Sequence, residues 1–238
     1  MQRRDRVNGN VGIIGAMKEE IELLRQAMQL DRVIEHAGIT FLQGKLHDRD
    51  VIVCQSGVGK VNAAVCTQLL IDRFHVQAIL FTGVAGALDP SMDIGDIVIS
   101  RDCMQHDMDA SPLGFAKGEI PYAPRSVFAA DARLIEIAEQ VGQARFPGRM
   151  RVGRVLSGDQ FIADRAVVEK LHRDMGGSCT EMEGAAVAQV CDMNDIPFLI
   201  IRSMSDKADG SADVNFAEFT VEASRRSFNM IDGIVQAL

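Results

Sequence analysis

Three short stretches of this sequence place acidic side chains where an apolar segment gives way to something polar, and each could perform acid–base chemistry. The first is GAMKEEIELL, which continues the apolar run VGIIGA at 11–16. On a helix turning about 100° per residue, Met17, Ile21, Leu23, Leu24, Ala27 and Met28 share one arc, and Glu20 falls inside it. A carboxylate on a covered face is costly unless it has a partner or a task. A first-turn Glu is also favoured by the helix dipole, so a structural reading stands beside the functional one. The second stretch is TEMEGAAVAQVC, 180–191, whose residues 184–191 carry no charge and predict a helix buried on nearly all sides. Glu183 would stand at its mouth, as a ligand group or as a capping carboxylate. Glu181, two residues earlier in extended chain, would point to the other face. The third is FLIIRSMSD, 198–206, where Arg202 ends an apolar run and Ser205 and Asp206 follow as the chain leaves the sheet. Either Arg202 forms a buried pair that fixes sheet to helix, or it orders Glu183 or a water while Asp206 faces a ligand.

Two glycine loops, Ser56-Gly57-Val58-Gly59-Lys60 and Thr82-Gly83-Val84-Ala85-Gly86, follow apolar runs. Neither has a phosphate fingerprint, because Lys60 is followed by Val61 and no G-x-x-x-x-G-K occurs. GIIGAM lacks the spacing of a dinucleotide site. What these loops offer is close approach of backbone to a flat or polar ligand. His106-Asp107-x-Asp109 has no ligand spacing elsewhere to complete a metal site, so no metal is expected.

The elements that must position these residues alternate along the chain. Short apolar runs at 11–16, 41–46, 51–56, 78–83, 96–101, 154–159 and 198–203 predict strands, several of them apolar on both faces as in a sheet covered by helices. Helical periodicity appears at about 17–30, 60–74, 131–143, 164–174, 183–194 and 216–237. The stretch 103–125, with Pro112, Gly114, Gly118, Pro121 and Pro124, predicts one long loop, and loops of that length usually carry function. The pattern is that of a single α/β domain over 11–238, preceded by a flexible tail at 1–10. In such folds ligands gather beyond the carboxyl ends of strands, so the informative residues are the polar ones just after an apolar run, such as Glu20 after VGIIGA and Asp206 after FLIIRS.

Composition narrows the class of function. The 238 residues include 33 Asp and Glu against 25 Lys and Arg, a net charge of −8, which disfavours a nucleic-acid partner. No apolar run approaches the ~20 residues needed to span a bilayer, and MQRRDRVNGN has no apolar stretch behind it that would make it a secretory signal. Five scattered cysteines, never in C-x-x-C, suit free thiols in a reducing cytoplasm.

Taken together, GIIGAMKEEI, SGVGKVNAA, TGVAGAL, IGDIVIS, QHDMD, SGDQFI, EMEGAAVAQVC and RSMSD run in order from about residue 11 onward and resemble the 5′-methylthioadenosine/S-adenosylhomocysteine nucleosidases of the nucleoside phosphorylase superfamily. The resemblance implies a three-layer α/β/α fold around a central mixed β-sheet, a homodimer, and no cofactor. It implies hydrolysis of the N-glycosidic bond of methylthioadenosine, S-adenosylhomocysteine and 5′-deoxyadenosine, releasing adenine and serving methionine salvage. By the same resemblance Asp206 is the general acid to adenine N7, Glu20 activates water, Glu183 binds the ribose hydroxyls and Arg202 positions water and carboxylates. Phe161 stacks on the base, which the Ile162 backbone reads. Met17, Val58 and Phe216 line the ribose and alkylthio pocket, and Glu181, Met182 and Ser205 complete the wall. Ala110, Leu113 and Pro121 are expected to enter the neighbouring subunit's pocket. An oxocarbenium-like ribose suits an acidic site, and the reaction requires Asp206 protonated while Glu20 is ionised.

One departure stands out. The family loop commonly reads T-G-S-A-G, whereas Val84 here replaces the Ser. The same G-V-A-G with Q-H-D-x-D resembles a branch whose members also hydrolyse 6-amino-6-deoxyfutalosine in menaquinone synthesis. Two alternatives remain: a phosphorolytic nucleoside phosphorylase on the same fold, and a non-catalytic adenosine-binding protein.

Overall fold

The structure, a computed structural model, describes residues 9–208 and 212–238. Residues 1–8 of the expected tail lie outside the described residues; Asn10 is tied down, its side-chain amide donating to the Phe74 carbonyl.

Among the described residues eleven strands form one mixed sheet: β1 (Val11–Gly15), β2 (Gln29–His36), β3 (Ile39–Leu46), β4 (Arg49–Gln55), β5 (Ala78–Phe81), β6 (Val84–Ala87), β7 (Ile97–Gln105), β8 (Val127–Ala129), β9 (Met150–Ser157), β10 (Gly177–Glu181) and β11 (Phe198–Asp206). Their order is β2-β3-β4-β1-β5-β11-β6-β10-β9-β7-β8, and β7 also pairs with β11, so the second half curls back on itself. Among the described residues six helices accompany them: α1 (Lys18–Ala27), α2 (Lys60–Phe74), α3 (Ala132–Arg145), α4 (Arg165–Met175), α5 (Gly184–Met193) and α6 (Ala212–Ala237).

The three layers follow from strands that are apolar on both faces. Along β1 and β4, Ile13, Val51 and Val53 join a core with Leu24 of α1, Leu134 of α3 and Ile231 of α6. Their neighbours Ile14, Ile52 and Cys54 face the other way, against Ala63 and Leu70 of α2 and Val187 of α5. A smaller core seats α4, through Val168 and Leu171, on Leu88 and Leu156. Helix boundaries have local causes: Asp131 and Asp164 accept from the first N–H groups of α3 and α4, and Gly176 ends α4 at φ 66°.

Several boundaries differ from those the sequence suggested. Helix α1 stops at Ala27, not near 30, because Gln29–His36 pairs with β3 as an exposed strand lacking an apolar stripe. The hairpin turns of this ribbon place both central residues at positive φ, Ala37-Gly38 and His47-Asp48, as tight antiparallel turns require. The glycine loop after β5 is largely strand β6, and GSCTE at 177–181 is strand β10; both are too short and small-residued to show a period. Strand β7 extends to Gln105, so the long loop begins at His106 and carries a single 3-10 turn at Ser111–Leu113.

Candidate active site

Strand β11 continues past Arg202 to Asp206, entirely buried, and is the spine of the site. It pairs with β5 at Phe198–Ile200, with β7 at Ile201–Ser203 and with β6 at Ser203–Asp206. Its last residue reaches the carboxyl end of the sheet beside the start of α1 and the mouth of α5. There a cavity of about 300 Å³ is lined by Met17, Glu20, Val58, Val84, Phe161, Ile162, Glu181, Met182, Glu183, Ser205, Asp206 and Phe216. Thus the residues expected to face substrate from this chain meet in one place, although Glu181 turns its carboxylate to Arg202 and the start of α5. Arg202 lies behind the wall. Ala110, Leu113 and Pro121 do not line this cavity. Sequence reasoning missed Ala16, Ala85, Gly86, Gln160 and Thr180, which complete the lining. Only strand pairing could have found Thr180, which sits opposite Gly86.

Each carboxylate is buried and each has its own support. Glu20, 4 % exposed, is both a cap and a site group. Its Oε2 accepts from the N–H groups of Ala16 (2.6 Å) and Met17 (2.9 Å), closing the first turn of α1, while Oε1 accepts from Val84 N–H at 3.0 Å. Glu183, 6 % exposed, starts α5 and accepts from Gly59 N–H at 2.8 Å. Asp206, 3 % exposed, accepts from Ser205 Oγ at 2.8 Å and Ala208 N–H at 2.7 Å.

Arg202 does not order Glu183. Its Nη2 pairs with Glu181 at 2.6 Å, and its guanidinium stacks 4.0 Å above the Phe81 ring. Glu181 in turn caps α5, accepting from Gly184 N–H with both oxygens, from Glu183 N–H and from Ser157 Oγ. The two acidic residues of the EME triplet therefore divide the work: Glu181 turns inward to arginine and helix cap, leaving Glu183 for the cavity. Ser157, unmarked in the sequence, completes that network by accepting from Ala185 N–H.

The glycines serve these carboxylates. A Cβ on Gly83 would lie 2.6 Å from Glu20 Oε1, and one on Gly86 would lie 2.8 Å from Asp206 Oδ1. Backbone does approach a polar group closely, as expected, but the group belongs to the protein.

Electrostatics set the carboxylates apart. Burial pushes Glu183 from an ordinary 4.5 up to about 8, with the Glu181 charge adding to it and Gly59 N–H and Arg202 opposing. Burial also raises Glu20, against Arg202 and its three N–H donors. Three N–H groups donate to Glu20 where one donates to Glu183, so the Glu20 anion has more direct support against its burial. Phe161 and Phe216 meet edge to face at 5.7 Å over the outer wall.

A rim network joins the cavity to the long loop. Lys60 Nζ donates to Gln105 and to Asp107 (2.6 Å), and Asp107 accepts from Asp159 N–H. Asp107 is thus an ion-pair partner, and among the described residues no group of three or more His, Cys, Asp or Glu could hold a metal ion.

The sequence profile of the phosphorylase superfamily matches residues 10–236. A 5′-methylthioadenosine/S-adenosylhomocysteine nucleosidase from Staphylococcus haemolyticus is 38% identical over 96% of this chain and 100% of its own, and one from Pseudoalteromonas translucida is 40% identical over 96% and 97%. Among solved structures, the Neisseria meningitidis nucleosidase of the same name, in complex with methylthio-immucillin-A, superposes with a TM-score of 0.93 at 36% identity, covering 97% of this chain and 100% of the other. Futalosine hydrolase of Helicobacter pylori superposes equally well, 0.93 at 33% identity, covering 97% and 98%.

Proposed function

The chain belongs to the phosphorylase superfamily, and we propose that it is an N-glycosyl hydrolase that releases adenine from 5′-substituted adenosines: methylthioadenosine, S-adenosylhomocysteine and 5′-deoxyadenosine. The observation that carries this reading is the character of the wall. Glu20, Glu181, Glu183 and Asp206 line one cavity, and no Lys or Arg stands among its described lining residues. Such a wall suits a sugar that becomes cationic as its bond to the base breaks. It does not suit an anionic nucleophile, since a phosphate would need cationic or N–H donors where Glu20 already consumes three of the latter.

The position of each side chain supports a role for it. Asp206, steadied by Ser205 and Ala208, passes a proton to the purine as the C1′–N9 bond breaks, so that neutral adenine departs. Glu20 takes a proton from the water that bonds to C1′. Glu183 engages the ribose hydroxyls, and its proton, held by burial in the resting site, becomes easier to release when positive charge forms beside it. Arg202 acts from behind, fixing Glu181 and favouring the anion of Glu20. Phe161 and Phe216 cover the base and the 5′ substituent.

A homodimer and a cytoplasmic location belong to the same reading. Val58 at the cavity and Val61 and Val65 in the first turns of α2 are exposed, an apolar surface that a second copy would cover while supplying Ala110, Leu113 and Pro121 to its partner's pocket. All five cysteines are buried free thiols, as a reducing compartment would leave them. No described helix is long and apolar enough to cross a membrane. Aminodeoxyfutalosine is the second substrate class, favoured by the equally close superposition on futalosine hydrolase and by Val84, whose side chain adds no hydroxyl to the cavity.

The test is adenine release from methylthioadenosine, S-adenosylhomocysteine and aminodeoxyfutalosine, each with and without phosphate, for the wild type and Asp206→Asn. The expected result is phosphate-independent release by the wild type, with the variant inactive yet still binding substrate. Strict phosphate dependence, or near-normal turnover by the variant, overturns the assignment.

A further inference from the structure

The peptide that precedes the one serving Glu20 is held from behind by the last helix. Gly83 N–H donates to Ser227 Oγ of α6 at 3.0 Å, and Ser227 Oγ shares a 2.6 Å bond with Thr82 Oγ1. The Gly83 carbonyl accepts from Ser203 N–H at 3.0 Å, and the next N–H, that of Val84, is the one aimed at Glu20. Both Thr82 and Ser227 are fully buried.

This arrangement answers a local difficulty. Residue 83 must be glycine, because a Cβ there would meet Glu20 Oε1 at 2.6 Å. Glycine, however, leaves the two flanking peptides free to rotate. Their orientation must come from hydrogen bonds, and Ser203 holds one peptide while Ser227 holds the other. We propose that Ser227 is a positioning residue for the hydrolysis, fixing the Thr82–Gly83 peptide so that Val84 N–H stays directed at the water-activating carboxylate. The inference rests on the assignment of Glu20 to that role. It also ties the carboxylate to α6, whose Phe216 lies eleven residues before Ser227 and lines the same cavity. One helix thus both covers the ligand and steadies the donor to the base.

The expected signature is kinetic. Ser227→Ala lowers kcat about three- to tenfold with little change in KM, because one hydrogen bond to a charged group is weakened away from the binding contacts. The acid limb of the kcat/KM profile moves to higher pH, since the Glu20 anion loses directed support while its burial is unchanged. The other groups bearing on Glu20 stay in place: Arg202 of β11, Glu183 at the mouth of α5, Glu181 through Arg202, and Asp206 across the cavity. On α6 itself, Arg226 is engaged with Glu222 and the Gly95 carbonyl. Ser227→Cys, which keeps the volume and loses most of the accepting power, gives the same direction and serves if the alanine variant does not fold. Thr82→Val removes a comparable buried bond but leaves Ser227 to accept from Gly83, so its acid limb stays put.

A Ser227 variant whose acid limb is unmoved, or a Thr82→Val limb that moves equally, overturns the proposal and reduces the pair to packing. Glu20→Gln separates the two levels. If Glu20→Gln is inactive while the Ser227 variants are normal, only the positioning role falls; if Glu20→Gln turns over normally, the assignment beneath it falls.

Discussion

The proton held on Glu183 makes the stability of the unliganded protein depend on pH in an unusual direction. A carboxyl whose folded pKa is raised, here from 4.5 to about 8, contributes stability that is fully present below the unfolded value and is lost as pH climbs through the folded one. At 1.36 kcal/mol per unit, the part of that loss falling between pH 6.5 and 8 is about 1.5 kcal/mol. For a chain of this length it corresponds to a fall in Tm of roughly 3–6 °C. Glu20 is raised by the same cause and adds in the same sense. His106, lowered from 6.5 by its burial, works the opposite way but only below pH 6.5, and the lowered carboxyls Asp89 and Asp107 act below 3.8. The assay is thermal unfolding of the wild type and Glu183→Gln across this window. Glutamine keeps an oxygen for Gly59 N–H, so the variant should fold and show a much shallower slope. A wild-type Tm that rises between pH 6.5 and 8, or parallel slopes in the two proteins, would refute the placement of the proton.

Two further substitutions probe the scaffold. Gly86→Ala drives a methyl to within 2.8 Å of Asp206 Oδ1 and of Ala208 Cβ; a displaced acid predicts a loss of kcat of about a hundredfold in steady-state assays, with binding of a substrate analogue by calorimetry much less affected. Arg202→Met leaves Glu181 buried without its cation and should cost about 3–5 kcal/mol in denaturant unfolding, whereas the doubly neutralised Arg202→Met/Glu181→Gln protein should recover part of that loss.

Sequence and structure agree best where burial is symmetric. The runs at 11–16, 51–56 and 198–203 are apolar on both faces because helices cover both, and such runs announce themselves. Helix α2 lies where its period placed it, Lys60–Phe74. Four strands escaped detection and are of another kind, one of them, β8, being only three residues long. Strand β2 is an exposed edge, its side chains mostly in water, so no alternation is imposed on it. Strands β6 and β10 are made of small or polar residues whose backbones, not side chains, do the pairing. At the site, Glu20 was legible because a carboxylate interrupts an apolar arc, and Glu183 because it precedes eight residues without charge, 184–191. Which carboxylate Arg202 would choose was not legible. That choice depends on β10 lying beside β9, which brings Ser157 abreast of Glu181 and turns that side chain away from solvent.

Strand β11 touches both halves of the sheet, and its consequence reaches beyond this reaction. Asp206 and Arg202 ride on a rail clamped by β5, β6 and β7, so drift in their register would break three pairings at once. Val58, Phe161 and Phe216, by contrast, sit outside the strands, where replacements disturb no ladder. The cavity can therefore be resized at these three positions with little cost to the sheet, whereas a change along β11 is felt by three neighbouring strands.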